Sequence, residues 1–320
     1  MQLFRKFMSK NQYSQLCQSE LLPIFMQNWW LDSVCGTDNW QPILIFDKNE
    51  KIIGASFYYN KNRYGLKTVT QPILTPFSGV WFRPSNFESV RKKHQYEADI
   101  LKEIAKKLPN VAIFAQNFHF SLTNILPFHW SGFKNTIRYT YFFENINDLR
   151  VILGNFSMSV RQNIKKGDDL KVIESENTKF LYNLLSNAIQ KSKGKLNYSE
   201  KNLHTLHINI KKNQSGQIFE IQNTDNETLG STLIVWDKET AYFLISGDTK
   251  KHKSAITVLI WRVLEILDEK GIKKFDFDGS ILPHIEPFYR SLGAERKPYF
   301  RITKIKNKFL ESLLILANKI

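Results

Sequence analysis

Two passages of this chain repeat one another: PFHWSGFKNTIRYTYFF from Pro127 and PFYRSLGAERKPYFRIT from Pro287. Each closes the same succession of predicted elements. In the first copy, strands at 42–46, 51–59 and 66–71 form a meander. A helix at 94–108, a strand at 110–115, the PF-aromatic turn and a strand at 137–143 follow. In the second copy the meander is 218–222, 228–236 and 240–246. A long amphipathic helix at 255–270, a strand at 275–278, the turn (helical over 286–292, stopped by Gly293) and a strand at 298–303 follow. The strands are read from period-two alternation between turn residues, the helices from apolar residues three and four apart. An order repeated over so many elements says more than a pair of short matches. It predicts two copies of one α/β domain, 1–146 and 147–320, joined near residues 144–150.

The segments outside the repeat are mostly helical. Residues 12–36 carry one helical periodicity that Gly36 ends, with Trp30 and Val34 on a shared face. Asn147 or Asp148 is placed to cap a helix, and Ser157 or Ser159 to cap a basic one that stops at Gly167. A strand at 170–174 and helices at 178–190 and 200–212 precede the second meander.

Charge narrows the class of partner. The chain has 45 Lys/Arg and 30 Asp/Glu, a formal net charge of +15. The excess is +7 before residue 151 and +8 after it, so it is a diffuse field and not a basic tail. Such a field draws nucleic acid, an anionic membrane or a phosphate-bearing ligand. Cys17 and Cys35 are the only cysteines, with no CxxC spacing and no Cys/His cluster, so no metal is expected. Two isolated thiols, no apolar signal core and no run of about 18 apolar residues lead to an expected cytoplasmic location.

Candidate chemistry gathers in the second copy. Asp276 and Asp278 are two apart and would share one strand face, with Phe275 and Phe277 packed behind it. Close carboxylates lift one another's pKa, which suits a base that binds an ammonium and takes its proton. Either could instead only cap the following turn. The earlier copy, NVAIFA, has no acid in this strand. Arg161 and Lys165 lie four apart on one helical face and could grip a phosphate, or be a solvated edge. His284 and Glu286 are loop candidates for substrate contact. The loop SGDTKKHKSA puts Lys250, Lys251, His252 and Lys253 at a helix start, where backbone N–H groups favour an anion. The final helix sets Phe309, Leu310, Leu313, Leu314, Leu316 and Ala317 near Lys304, Lys306 and Lys308. It could lie on an anionic membrane or pack back on its own domain.

Three stretches carry a family resemblance: MSVRQNIKKGDDLKV, KKFDFDGS and IEPFYRSLGAERKPY. They resemble the Arg–Asn–Ile–Lys helix, the Asp-Phe-x-Gly strand end and the Leu-Gly-Ala turn of the FemAB-like branch of GNAT acyltransferases. The resemblance implies an α/β (α+β) class of two tandem GNAT-like domains, each a mixed, mostly antiparallel sheet flanked by helices. It implies an N-acyltransferase in cell-envelope or amino-sugar/peptide metabolism. Its donor would be an acyl-CoA, acetyl-CoA first, its acceptor a small-molecule or peptide amine. Asp276, Asp278 and Tyr289 would be catalytic, Tyr289 as the acid near a leaving thiol. Ser246, Gly247, Lys250, Lys251, His252, Lys253 and Ser254 would hold the cofactor, though only one glycine stands where the family's pyrophosphate loop is glycine-rich. Arg161, Lys165, His284 and Glu286 would bind substrate. Two alternatives stay open: an aminoacyl-tRNA-dependent transferase with tRNA as a partner, and a non-catalytic binding module.

Overall fold

The structure is a computed structural model, and it describes residues 2–63, 65–191, 194–279, 283 and 285–316. The chain begins with α1 (Gln2–Ser19) and α2 (Asn28–Cys35). The helical stretch expected as one over 12–36 is interrupted. Pro23 has no N–H to give a helix, and a single 3-10 turn, Ile24–Met26, follows it. Trp30 of α2 is fully buried and its indole N–H donates to Thr75 Oγ1 at 2.9 Å.

The first meander is β1 (Trp40–Phe46), β2 (Ile52–Arg63) and β3 (Leu66–Val69), all antiparallel, with the short β4 (Trp81–Phe82) also on β2. Helix α3 (Val90–Lys107) starts on a Ser89 cap whose hydroxyl accepts from the Lys92 N–H. It leads into β5 (Ile113–Phe118), parallel to β3. Then come α4 (Leu126–Trp130) and β6 (Lys134–Phe143).

Helices α5 (Leu149–Asn155) and α6 (Met158–Lys166) open the next stretch, capped by Asp148 and Ser157, with Gly167 ending α6. Strand β7 (Lys171–Ser175), α7 (Thr178–Lys191) and α8 (Glu200–Lys212) follow, α8 on a reciprocal Ser199/Asn202 capping box. The second meander is β8 (Gly216–Gln222), β9 (Thr228–Trp236) and β10 (Thr240–Asp248), again antiparallel. Helix α9 (Ala255–Glu269) leads into β11 (Lys274–Asp276), parallel to β10. The chain ends with α10 (Glu286–Ser291), β12 (Glu295–Ile305) and α11 (Lys308–Leu316).

Two compact units result. One takes the first 138 residues and the chain from Pro298 on; the other is Tyr139–Lys297. In the first, the sheet order is β1-β2-β3-β5-β12, and in the second β6-β11-β10-β9-β8-β7. The last strand of each sequence repeat therefore serves the sheet built from the other. Strand β12 pairs antiparallel with β5, Arg301 facing Asn117, and β6 pairs antiparallel with β11, Phe143 facing Phe275. Repeat and compact unit are thus different partitions of the chain.

Each unit has its own core. In the first it is formed by Ile43, Ile100, Leu101, Ile104, Phe114, Phe128 and their neighbours. In the second it centres on α9, which buries nine side chains. The amphipathic helix expected there is instead covered on several sides. The sheet takes one face, and α6 closes on another so tightly that a Cβ on Gly167 would lie 2.6 Å from Val258. Phe275 and Phe277 are fully buried beneath it, edge to face at 4.8 Å.

Gly293 joins α10 to β12 at φ +68, and a Cβ there would sit 2.5 Å from the Asn155 carbonyl at the end of α5. Gly271 has φ +76 but open space. Urea unfolding should show Gly271→Ala losing about 1 kcal/mol from backbone strain alone. Gly293→Ala should lose about 2–4 kcal/mol, because strain and a backbone clash add. Equal losses would contradict this packing.

Candidate active site

Strand β11 is only three residues long. It pairs with β10 at Thr240–Tyr242 and no further, while β10 runs on to Asp248. On its other side it meets β6 at Phe142 and Phe143. The chain leaves the strand after Asp276. Phe277 still donates its N–H to the Tyr141 carbonyl at 2.9 Å, and Asp278 takes a left-handed φ of +46. The expectation that Asp276 and Asp278 share one strand face is corrected by this turn: the strand has ended before Asp278, whose backbone is left-handed.

Asp276 is fully buried. Its Oδ1 accepts from the Thr140 hydroxyl and, at 2.9 Å, from the Asp278 N–H. Its Oδ2 is buried with no hydrogen-bond partner among the described residues. Burial outweighs the two hydrogen bonds and raises its pKa from 3.8 to about 7. Asp278 is half-buried, and its carboxyl is pushed well up, first by desolvation and then by the charge of Asp276. The two act as a pair that retains a proton to higher pH than an isolated carboxyl would.

Three further groups close around them. The Thr140 hydroxyl also accepts from the Gly279 N–H at 3.1 Å, and a Cβ on Gly279 would lie 2.9 Å from the Thr140 Cα. Tyr289, on α10, stacks on Tyr141 with ring centres 5.7 Å apart and touches Phe277 at 5.6 Å. Its phenol is held protonated by burial, then by the charges of Asp278 and Asp276. Glu286 begins α10 and accepts from the Tyr141 hydroxyl at 2.6 Å, while Arg290 lies 3.5 Å from its other oxygen. Asp276, Asp278, Tyr289 and Glu286 are therefore brought together. His284 lies outside the described residues.

Thr140 and Tyr141 are the members that sequence reasoning missed. Nothing in RYTYFF marks them; they reach Asp276 and Glu286 only because β6 pairs with β11.

The expected cofactor loop, 246–254, is shorter than its sequence suggests. Ser246 and Gly247 lie within β10. Helix α7 passes over Gly247 so closely that a Cβ there would be 2.9 Å from Leu184 Cβ. The loop proper pairs Lys250 with Asp248 at 3.0 Å and Lys251 with Glu227. Lys250 is left-handed, with φ +63. His252 Nδ1 accepts the Ser254 N–H at 3.3 Å, and Lys253 is exposed. Ser254 is buried and starts α9 without a side-chain cap; the Ala255 N–H donates to the His252 carbonyl at 3.3 Å, and the positive end of a 15-residue helix favours an anion here. An anionic donor group fits this helix start; it does not fit the Ser246–Gly247 end. On α6, the guanidinium of Arg161 turns back to donate to the Gly154 carbonyl at 3.0 Å, and Lys165 is exposed. Among the described residues no cluster of His, Cys, Asp and Glu could hold a metal.

No protein-family profile and no curated protein matches the sequence. Solved structures do. The chain matches the crystal structure of FemX over 95% of its length and 98% of that chain, with TM-score 0.66 and 11% identity. It matches L-PGS from Bacillus licheniformis over 90% of both chains, at 0.52 and 12%. It also matches a tandem GNAT protein from the clavulanic acid biosynthesis pathway over 92% and 93%, at 0.50 and 10%. The chain has the FemAB-like, tandem-GNAT fold, a mixed, mostly antiparallel α/β architecture flanked by helices. No helix among the described residues is long and apolar enough to cross a membrane.

A buried carboxyl raised to about 7 leaves a thermodynamic mark. Between pH 4 and 7 the unfolded chain has lost this proton and the native state holds it, so stability falls as pH rises through that window. Asp276→Asn keeps the acceptor for Thr140 and removes the titration. The variant should gain on wild type from pH 4 to pH 8, by at most roughly 4 kcal/mol. Chemical unfolding across pH measures it. A pH-independent difference would mean that Asp276 is not raised.

Proposed function

We propose that the protein is an N-acyltransferase that moves an acyl group from an acyl-CoA, acetyl-CoA first, to an amine of a small molecule or peptide. The observation that carries the reading is the pair Asp276–Asp278 beside Tyr289 at the point where β10 and β11 separate. Asp278, the less buried of the two, would bind the acceptor ammonium and take its proton. Asp276, wholly enclosed, is a positioning residue: it holds the Asp278 backbone and keeps its neighbour's affinity for a proton high. The nitrogen–carbon bond forms as the carbon–sulfur bond breaks. The proton that Asp278 takes from the ammonium passes on to solvent, the amine's second proton passes to the Asp278 carboxylate on attack, and the departing thiolate takes one from the Tyr289 hydroxyl, which the Asp278 carboxyl then reprotonates. Substrate would otherwise be held by Arg161, Lys165, His284 and Glu286. The start of α9, with Lys250, Lys251, His252, Lys253 and Ser254, would face the donor's phosphates.

The second reading is an aminoacyl-tRNA donor. Favouring it is the closure of Gly247 under Leu184, which leaves little bare backbone for a pyrophosphate. Either donor suits a chain of net charge +15. The same proposal keeps 146/147 as the boundary between repeats, assigns the chemistry to the second, and has the protein act in the cytoplasm.

Incubation with acyl-CoAs, charged tRNA and a panel of amines, read by product mass, tests it. Transfer from an acyl-CoA is expected, with kcat/KM rising with pH above the ordinary carboxylate range as the Asp278 carboxyl loses its proton. Asp278→Asn should lower the rate about 10²–10⁴-fold, as removal of a positioned base does. Transfer from tRNA alone would select the second donor. An unaffected Asp278→Asn variant would end the assignment of the base, and no transfer to any amine would leave a binding module.

A further inference from the structure

One face of the first unit has a composition that the chemistry above does not use. Residues 104–138 hold four Lys/Arg and no Asp or Glu, and residues 298–310 hold another four and none. The fold brings the two stretches together. Lys304 donates to the Ser131 carbonyl at 2.8 Å and lies over the Phe133 ring at 4.9 Å, while Lys134 pairs with Glu311 of α11 at 2.7 Å.

Large apolar side chains stand out of this basic surface. Helix α4 buries Pro127 and Phe128 and turns Leu126 and Trp130, four residues apart, outward; they are 52% and 71% exposed. Phe309 on α11 is 73% exposed. Beside them is a cleft of about 210 Å³ whose lining includes Lys106, Ser131, Phe133, Lys304 and Lys306. Exposed large hydrophobics scattered singly need no explanation, but a tryptophan and a phenylalanine beside Lys304, Lys306 and Lys308, which have no acidic partner among the described residues, form an amphipathic surface; Lys106 and Lys134 are held by Glu103 and Glu311. Tryptophan favours the boundary between apolar and wet phases, and each lysine near an anionic leaflet adds attraction.

We infer that this face, comprising α4, the turn 131–134 and the start of α11, docks on an anionic lipid bilayer. Trp130, Leu126 and Phe309 enter the headgroup boundary, and Lys304 and Lys306 meet a lipid phosphate at the cleft. The occupant is a bilayer and not a folded partner because the two acids at this face, Glu103 and Glu311, are already taken by Lys106 and Lys134, which leaves Lys304, Lys306 and Lys308 as charge of one sign, and that suits a phosphate leaflet better than a protein surface of mixed sign. The terminal helix alone is not the device: α11 supplies Phe309, but the tryptophan comes from the first repeat, and the cleft is lined from both, by Lys106, Ser131 and Phe133 with Lys304 and Lys306. This inference does not depend on the reaction proposed above, since none of these residues belongs to the candidate active site.

Flotation of the purified full chain with phosphatidylcholine vesicles, with and without phosphatidylglycerol, tests it. Binding is expected only with phosphatidylglycerol and should weaken with added salt. Trp130→Ser/Phe309→Ser should weaken it more than tenfold through lost apolar insertion. Lys306→Gln/Lys308→Gln should weaken it about 30-fold. All four positions are exposed, and thermal unfolding of the variants should match wild type. Absence of flotation with anionic vesicles, equal flotation with phosphatidylcholine alone, or full binding by both double variants would overturn the inference. So would a wild-type dimer in sedimentation that Trp130→Ser/Phe309→Ser dissociates without any vesicle binding, which would assign the face to a second copy.

Discussion

The carboxyl of Asp276 holds the second unit's site together. A buried carboxyl is tolerated when it is neutralised or hydrogen-bonded, and here both routes are used in part. Thr140 and the Asp278 backbone satisfy one oxygen, while burial keeps the proton on to about pH 7. The same two contacts fix the turn at Asp278 in its left-handed conformation and draw Gly279 against β6. A side chain that never reaches solvent thereby sets where a half-buried one points.

That arrangement exists because the repeats lend each other their last strands. β6 belongs by sequence to the first copy, yet it lies against β11 and carries Thr140 and Tyr141 to Asp276 and Glu286. β12 repays the exchange along β5. A duplicated domain that kept its own last strand would have no such dependence. Here neither sheet can be completed from one repeat, so a lesion in RYTYFF reaches the second unit's carboxyl pair without touching the second repeat.

Much of this was legible in the sequence. The period-two runs of both meanders, the Asp148 and Ser157 caps and the stop at Gly167 are local events, decided by residues a few positions apart, and they stand where the pattern puts them. Three readings missed, the first for a local reason and the other two for the packing around them. Pro23 interrupts a periodicity that otherwise continues through Leu22 and Phe25, because its missing N–H outweighs the apolar spacing. α9 looks two-faced in sequence but is nearly enclosed, since a pattern cannot tell how many neighbours a helix will have. The strand read as ending at Ser246 runs on to Asp248, with glycine at 247 where α7 passes close.

The sequence by itself determined the duplicated order of elements, the even positive field and the placing of the acids in one copy only. These follow from composition and from spacings within a few turns of chain, so they need no fold to be read. The tertiary structure alone decided that Asp276 is fully buried and Asp278 only partly so, that Thr140 and Tyr141 complete their surroundings, and that a basic, aromatic face forms from 104–138 and 298–310. The physical reason is the same in each case. Burial and proximity between residues more than a hundred positions apart are set by strand pairing, and strand pairing is decided by the whole sheet.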